Sequence, residues 1–143
     1  MGRVLLGAAL ACLGASALAA QSAVEITRSV YVEKRDERAG RTIEPAVALR
    51  RGDKVVLVVE WRASDSPRGF TVSSAVPRDL AFQRSGDAAQ VSIDGGRNWG
   101  SLESLRAGDR RASPEDVTHL RWRVPADRVA DGRGTLTYSA IVR

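Results

Sequence analysis

The sequence predicts an all-β protein, an antiparallel β-sandwich of about seven to nine strands that follows a cleaved signal peptide. Three observations lead to this prediction. Alternating apolar and polar residues recur in short stretches, and Gly-, Pro- and Asp-rich turn signals separate them roughly every eight to twelve residues. No long amphipathic helical pattern interrupts them. A small β-barrel is the alternative architecture.

The first twenty residues have the pattern of a secretory signal peptide. A basic start at Arg3 precedes an apolar and small-residue run, and Ala17 and Ala19 form an A-x-A cleavage motif. We expect residues 1–20 to be removed and residues 21–143 to form one domain in the periplasm or outside the cell. A retained membrane anchor is a weaker alternative, because the apolar run is short for a span of about 20 residues.

The only cysteine, Cys12, lies inside this leader. Lipidation there is a weak alternative, since Ala9 stands where a lipoprotein signal usually has a bulky aliphatic residue. The mature chain therefore has no thiol for a disulfide, a nucleophile or a thiolate metal site. Its stability has to come from an apolar core, which a domain of this size can bury without cross-links. We expect no transmembrane span in the mature chain.

The first half of the mature chain predicts strands in order. A ten-residue alternation begins the domain, with one face formed by Val24, Ile26, Val30 and Val32. A charged loop, "KRDERAGRT", separates it from "IEPAVAL", in which a proline marks an edge or a bend. The run "KVVLVVEWRA" is predicted to be the central strand, with one side formed by Val55, Leu57, Val59 and Trp61. "FTVSSAV" follows as a further strand.

The second half continues the pattern. "PRDL" predicts a corner into the short strand "AFQR", and "AQVSID" and "NWGSLESL" predict the two arms of a hairpin around Gly95 and Gly96. "SPED" predicts a single helical turn capped by Ser113. Two closing strands follow, "THLRWRV" and "TLTYSAIV", whose inward residues are predicted to be Leu120, Trp122, Val124, Leu136, Tyr138, Ala140 and Val142.

The order of these segments carries a resemblance to a known family. A Gly-Asp turn precedes the long strand, and a Val-Pro corner follows it. An Asp-Gly-Gly hairpin then precedes an Asp-Val pair and a tryptophan. In chain order, the residues of these motifs are Gly52, Asp53, Val76, Pro77, Asp94, Gly95, Gly96, Asp116, Val117 and Trp122. The chain resembles the conserved-repeat domain of unknown function in bacterial surface and secreted proteins. The resemblance implies an immunoglobulin-like sandwich over nearly the whole mature chain.

Residues 92–99, "SIDGGRNW", also come within one residue of the Asp-box of sialidase-type propellers. One such hairpin in about 120 residues cannot supply the several four-stranded blades of a propeller. We therefore interpret the segment as a structural turn. Asp94 is expected to accept backbone hydrogen bonds, Gly95 and Gly96 to adopt positive φ, and Trp99 to pack beneath.

The other motifs do not combine into a catalytic site or a metal site. His119 is the only histidine and is predicted to be exposed and solvated on the outward side of its strand. No nucleophile elbow or calcium-loop spacing is present in the sequence. Arg51, Gly52 and Asp53 spell the cell-adhesion tripeptide, which we interpret as a tight turn. We expect no enzyme activity, no cofactor and no metal site.

Charge provides the one candidate site. The chain has twenty arginines, two lysines and a formal net charge of +5, and removal of Arg3 with the leader would leave +4. The candidate anionic-ligand patch comprises Arg106, Arg110, Arg111, Arg121 and Arg123, with Arg97 as a further member. The alternative is that this patch is neutralised by Asp109, Glu115 and Asp116.

These observations predict a secreted or periplasmic, non-enzymatic binding or structural module of the bacterial envelope. The expected partner is an envelope protein or an anionic glycan. Nucleic acid is not expected, because no aromatic residue is predicted to interleave with the arginines on that outward face and the chain is expected to be exported. The alternative hypothesis is a small hydrolase of envelope glycans.

Overall fold

The structure, a computed structural model, describes residues 24–64 and 68–143. These residues form ten strands, two single 3₁₀ turns and one four-residue helix, and every strand pair is antiparallel. The predicted all-β class is confirmed. The predicted leader, residues 1–20, lies outside the described residues. Within the described ranges, no helix has the length and apolar character needed to cross a membrane.

The strands fall into two main sheets and a small hairpin. Their bounds are β1 (Val24–Asp36), β2 (Gly40–Pro45), β3 (Lys54–Ala63), β4 (Phe70–Ala75), β5 (Leu80–Ser85), β6 (Gln90–Ser92), β7 (Arg106–Ala107), β8 (Arg110–Arg111), β9 (His119–Val124) and β10 (Arg133–Val142). One sheet has the order β2-β1-β3-β10-β5 and the other β4-β9-β6, while β7 and β8 pair only with each other. The 3₁₀ turns are Leu102–Ser104 and Pro114–Asp116, and helix α1 is Ala126–Val129.

The two main sheets share one apolar core. Trp61 of the five-stranded sheet meets Phe70 of the three-stranded sheet edge to face, with ring centroids 5.2 Å apart. Trp122 and Tyr138 meet across the same layer at 6.1 Å. The predicted inward residues of β3, β9 and β10 are buried, except Val142, which is partly buried against the core. Each large side chain removed from water in this way contributes roughly 1.5–3 kcal/mol.

The first hairpin is longer than the sequence predicts. The charged stretch expected to form a loop instead extends β1 to Asp36, which lies opposite Gly40. Asp36 accepts hydrogen bonds from the backbone nitrogens of Ala39 and Arg38, at 2.8 and 2.7 Å, and these bonds lower the pKa of its carboxyl. Gly40 has a φ of 76°. Charged residues can continue a strand here because β2 is the edge of the sheet and both strands are open to solvent.

The second predicted hairpin is wrong in one arm. "AQVSID" supplies β6, but "NWGSLESL" forms no strand; it makes a single bridge from Gly100 to Val91 and then the 3₁₀ turn Leu102–Ser104. The residues after β6 are used in a compact turn around Asp94, so β6 pairs with β9 instead. This pairing places the turn beside the outward face of β9.

The Arg51–Gly52–Asp53 tripeptide forms a tight turn before β3. Gly52 has a φ of 90°, and its nitrogen donates to the Val142 carbonyl at 2.9 Å. Asp53 accepts from the Arg50 nitrogen at 2.7 Å through its carboxylate. The turn therefore ties the start of β3 to the end of β10.

Candidate functional site

The outward face of the three-stranded sheet gathers a set of polar side chains around one arginine. Leu120, Trp122 and Val124 point into the core, so alternation turns Arg121 and Arg123 outward on β9. Arg121 lies directly between Ser73 of β4 and Gln90 of β6, and Arg123 lies opposite Thr71. We call this surface the Arg121 face; its members are Thr71, Ser73, Gln90, Trp99, Arg121 and Arg123.

The guanidinium of Arg121 is held in place from two directions. Its Nε donates a 2.8 Å hydrogen bond to the Gln90 side-chain oxygen. Its Cζ lies 4.6 Å from the ring centroid of Trp99, a cation–π distance. Of the five N–H groups of a guanidinium, only the Nε group is used by the described residues. The remaining donors are free to bind a ligand without a large loss of side-chain entropy.

Trp99 is positioned by the turn that precedes it. The Asp94 Oδ1 accepts hydrogen bonds from the backbone nitrogens of Asn98 and Arg97 at 2.9 and 3.0 Å, and Oδ2 accepts from the Asn98 amide at 2.6 Å. These bonds, with one from the Ser92 hydroxyl, hold the pKa of the Asp94 carboxyl far below its usual range. The predicted role of Asp94 in the turn agrees with this geometry.

The glycines of the turn let it close against the tryptophan. Gly95 and Gly96 have φ values of 80° and 89°, a region that favours glycine. The Trp99 indole nitrogen donates to the Gly96 carbonyl at 2.8 Å. The indole ring is thereby fixed over β9, where it contacts Arg121. The turn that resembles an Asp-box thus supports the Arg121 face.

Beside Arg121 lies a depression of about 550 Å³, lined by Thr71, Ala88, Ala89, Gln90, Arg121 and Arg123. No carboxylate is among these lining residues. Arg123 is exposed and makes no hydrogen bond or ion pair with any described residue. Two guanidinium groups therefore face the depression without a neutralising partner.

The other arginines of the predicted patch lie on the β7–β8 hairpin. Arg110 makes a two-bond ion pair with Asp116, at 2.7 and 2.8 Å, and this pair lowers the pKa of the Asp116 carboxyl far below its usual range. Arg106 and Arg111 face each other across the β7–β8 hairpin. Between residues 68 and 143, no hydrogen bond, ion pair or ring contact joins this hairpin to the Arg121 face.

The five predicted site residues therefore separate into two groups. Arg121 and Arg123 share one face, whereas Arg106, Arg110 and Arg111 lie in the hairpin. Asp116 neutralises Arg110, as the alternative interpretation of the patch expects. Gln90 and Thr71, which the sequence did not single out, complete the site, and only the pairing of β6 and β4 with β9 reveals them.

His119 is less exposed than its strand position suggests. Its ring lies against Trp99, with centroids 6.5 Å apart, and its Nδ1 is 3.1 Å from the Thr118 hydroxyl. The side chain is half-buried, so the prediction of a fully solvated histidine is wrong. The cause is Trp99, which the Asp94 turn brings over this end of β9.

The described part of the chain contains no group of three or more His, Cys, Asp or Glu side chains that could hold a metal ion. Comparison of the sequence and the fold with protein-family models, with curated proteins and with solved structures gives no match. The resemblance to the conserved-repeat domain, and with it the immunoglobulin-like topology, stays a prediction.

Proposed function

We propose that this chain is an exported, non-enzymatic binding module of the bacterial envelope, and that its Arg121 face binds an anionic polymer such as an acidic glycan. The observation that carries the proposal is the pair of outward guanidinium groups, one fixed by Gln90 and Trp99 and one free, beside a depression without carboxylates. The conserved-repeat resemblance and the signal-peptide pattern support the envelope as the location.

The chemistry of the face suits carboxylate, sulfate or phosphate groups. A guanidinium binds such groups through two parallel N–H bonds, which gives both strength and orientation. Arg121 and Arg123 are two residues apart on one strand face, so their Cα atoms are separated by about 6.8 Å. Two charges at this separation can bind successive acidic groups of an extended polymer. Hydroxyls of Thr71 and Ser73 border the same surface and can bind neutral sugar groups.

The lining of the depression supports binding rather than catalysis. It offers guanidinium donors, one hydroxyl, one amide and two alanines. Bond cleavage by general acid–base chemistry needs a positioned acid or base, usually a carboxyl or an imidazole. Neither group is present among the residues that line this depression.

The experiment measures binding of the purified protein to polygalacturonate, with dextran as the neutral control. We expect affinity for polygalacturonate only, and a steep fall in affinity as salt rises, because ions screen exposed charges beyond about 8 Å at physiological ionic strength. The double variant Arg121→Ser/Arg123→Ser should bind about tenfold more weakly or worse, since a hydrogen bond between charged groups contributes about 1.5–3 kcal/mol.

The matched control is Arg106→Ser/Arg111→Ser, which removes the same charge from the β7–β8 hairpin. We expect this variant to lose much less affinity than Arg121→Ser/Arg123→Ser, because Arg106 and Arg111 belong to the hairpin and not to the Arg121 face. Equal losses in both double variants would mean that net charge, and not the Arg121 face, attracts the polymer. Salt-insensitive binding, or none, would overturn the proposal.

A further inference from the structure

One edge of the three-stranded sheet is open along β4. The Val76 nitrogen, just after this strand, donates to the Thr118 carbonyl beside β9. Backbone groups of successive residues point to alternate sides of a strand, so those of Thr71, Ser73 and Ala75 point away from β9. No backbone group of residues 24–64 or 68–143 pairs with this side of β4. A row of N–H and C=O groups is therefore available along this edge.

The other three edges of the two main sheets are protected against pairing. β2 ends in Pro45, which has no N–H group. β5 contains Arg84 and pairs with β10 through a bulge. β6 is three residues long, and its Val91 exchanges two backbone hydrogen bonds with Gly100. β4 has six residues, none of them proline or charged. An edge without such protection is a place where a further strand can pair.

The five-stranded sheet extends past this open edge. β4 lies against β3, as the contact between Trp61 and Phe70 shows, and β9 lies against β10, as the contact between Trp122 and Tyr138 shows. In the five-stranded sheet, β1 and β2 follow β3 on the side of β4. The position next to β4, one strand wide, therefore lies beneath the inner face of β1.

The inner face of β1 has one apolar and one cationic side chain above this position. Val30 lies opposite the core residue Leu57, so it points to the inner side of the sheet, yet it is 37% exposed. Arg28 lies opposite the buried Val59 and is also exposed. Its guanidinium donates to the Ser73 carbonyl at 3.2 Å and makes no ion pair with a described carboxylate.

We propose that this edge binds an acidic, extended peptide of a partner protein, which joins the three-stranded sheet as a fourth strand beside β4. The backbone groups of Thr71, Ser73 and Ala75 supply the hydrogen bonds, as in other cases of strand addition. Every second side chain of the peptide points beneath β1, at intervals of about 6.8 Å, the same spacing as that of Arg28 and Val30. A carboxylate can then pair with Arg28 and an apolar side chain can cover Val30.

Other occupants fit this position less well. A second copy that paired through its own β4 in the same orientation would bring its β3 into the space that β1 occupies. In the reverse orientation, it would set the polar side chains of Thr71 and Ser73 against Val30. An acidic glycan lacks the regular row of amide groups that matches a strand edge. A formal net charge of +5 also favours an acidic peptide over a basic one.

This edge is distinct from the Arg121 face. The side chains of Thr71 and Ser73 belong to that face, whereas the peptide pairs with their backbone groups. Arg28 belongs to the other sheet. The two proposals can therefore fail separately, and the experiment below includes a variant that separates them.

The probe is a capped synthetic peptide of about ten residues, in which threonine and valine alternate and one central valine is replaced by glutamate. Fluorescence anisotropy measures its affinity, and NMR measures hydrogen exchange of the protein's amides. At a free peptide concentration about ten times the dissociation constant, exchange at Thr71, Ser73 and Ala75 should slow about tenfold, because only the unbound fraction exchanges. No binding at about 1 mM peptide, or binding that leaves these amides unprotected, would overturn the proposal.

A proline variant tests the backbone pairing. Ser73→Pro removes an N–H group that points away from β9, a position where an edge strand tolerates proline. We expect peptide affinity to fall about tenfold or more, since a hydrogen bond is lost and the ring obstructs the peptide. The matched control is Ile43→Pro, whose N–H likewise points away from the neighbouring strand at the edge of the other sheet and which should keep the wild-type affinity. Wild-type affinity in Ser73→Pro would contradict strand addition.

Modified peptides test the same pairing without changing the protein. Two forms of the probe are methylated on alternate backbone nitrogens, one form on the threonines and the other on the valines and the glutamate. Only one form should bind, because only one set of peptide N–H groups faces β4. Equal binding of both forms would overturn the proposal.

Charge reversal tests the acidic character of the peptide. Arg28→Glu should weaken binding of the glutamate peptide about tenfold and strengthen binding of a peptide with lysine in its place. Arg121→Ser/Arg123→Ser should still show slowed exchange at Thr71, Ser73 and Ala75 with the glutamate peptide. Loss of this protection would place the peptide on the Arg121 face. Slowed exchange of these amides as the protein concentration alone rises would identify a second copy as the occupant. Either result would overturn the proposal.

Discussion

The outer face of the three-stranded sheet is polar and positively charged, with Arg121 held between Gln90 and Trp99. The outer face of the five-stranded sheet is apolar along the row of Tyr31 and Val56. Alternation along each strand decides which residues enter the shared core, and it sets no such requirement on the residues that face away. The chemistry of the two outward faces is therefore the more informative guide to what each face contacts.

The two faces also differ in how they are built. On the Arg121 face, the Asp94 turn adds a tryptophan over β9 and Gln90 orients the guanidinium, so a charged group is fixed before any ligand binds. On the other face, Glu25 and Arg133 have no such support among the described residues. Fixed guanidinium groups suit the acidic groups of an anionic ligand, whereas the mixed apolar and charged face of the five-stranded sheet has no comparable fixed group among the residues that the structure describes.

The largest expected effect comes from the core that supports both faces. Trp122→Ala should lower the free energy of unfolding by about 3–5 kcal/mol, because it leaves a cavity at a residue only 1% exposed. It also removes the hydrogen bond from the Trp122 indole to Ser85 at 2.9 Å. Urea unfolding followed by far-UV circular dichroism measures this change.

The matched control is Trp99→Ala, which removes the same side chain from a half-buried position on the Arg121 face. We expect the free energy of unfolding to fall by about 1 kcal/mol, the usual size for a substitution at a partly exposed site. If the two alanine variants were equally destabilised, Trp99 would belong to the structural core, and the distinction between the core and the Arg121 face would fail at this residue.

Alternation in the sequence predicts most of the fold. The inward residues of β3, β9 and β10 could be assigned because each of these strands has one face in the core, where polar side chains are costly. The charged end of β1 could not be assigned, because neither of its sides is buried and its strand conformation depends on pairing with β2. The prediction of a strand over "NWGSLESL" was wrong for a different reason. The first residues of this segment belong to the Asp94 turn, although the sequence pattern assigned them to a strand.

The candidate site could be predicted only in part. Arg121 and Arg123 follow from alternation along one strand. Which other side chains join them depends on contacts between distant segments, such as Gln90 with Arg121 or Arg110 with Asp116. No local pattern in a single sequence encodes those contacts.

Low pH should lower the stability of the fold through two carboxyl groups, those of Asp94 and Asp116. The folded-state pKa values of Asp94 and Asp116 lie below the ordinary value of 3.8. Their stabilising contribution is therefore complete above the unfolded-state pKa and is lost as the pH falls towards the folded-state values. We expect the Tm to fall by several degrees from pH 5 to pH 3, and Asp94→Asn and Asp116→Asn each to flatten this fall. An unchanged pH dependence in both variants would contradict the hydrogen-bonded carboxylates as its cause.

The smallest expected effect concerns how Arg121 is held. Trp99→Leu removes the cation–π contact, which contributes about 0.5–1 kcal/mol at an exposed site, and should weaken polygalacturonate binding about threefold. Gln90→Leu removes the hydrogen bond to Nε and should weaken binding by a similar factor. Because both side chains act through Arg121, neither substitution should weaken binding further once Arg121 is serine. Titrations of the single and double variants form the test, and additive losses in the double variants would mean that Trp99 or Gln90 contacts the ligand itself.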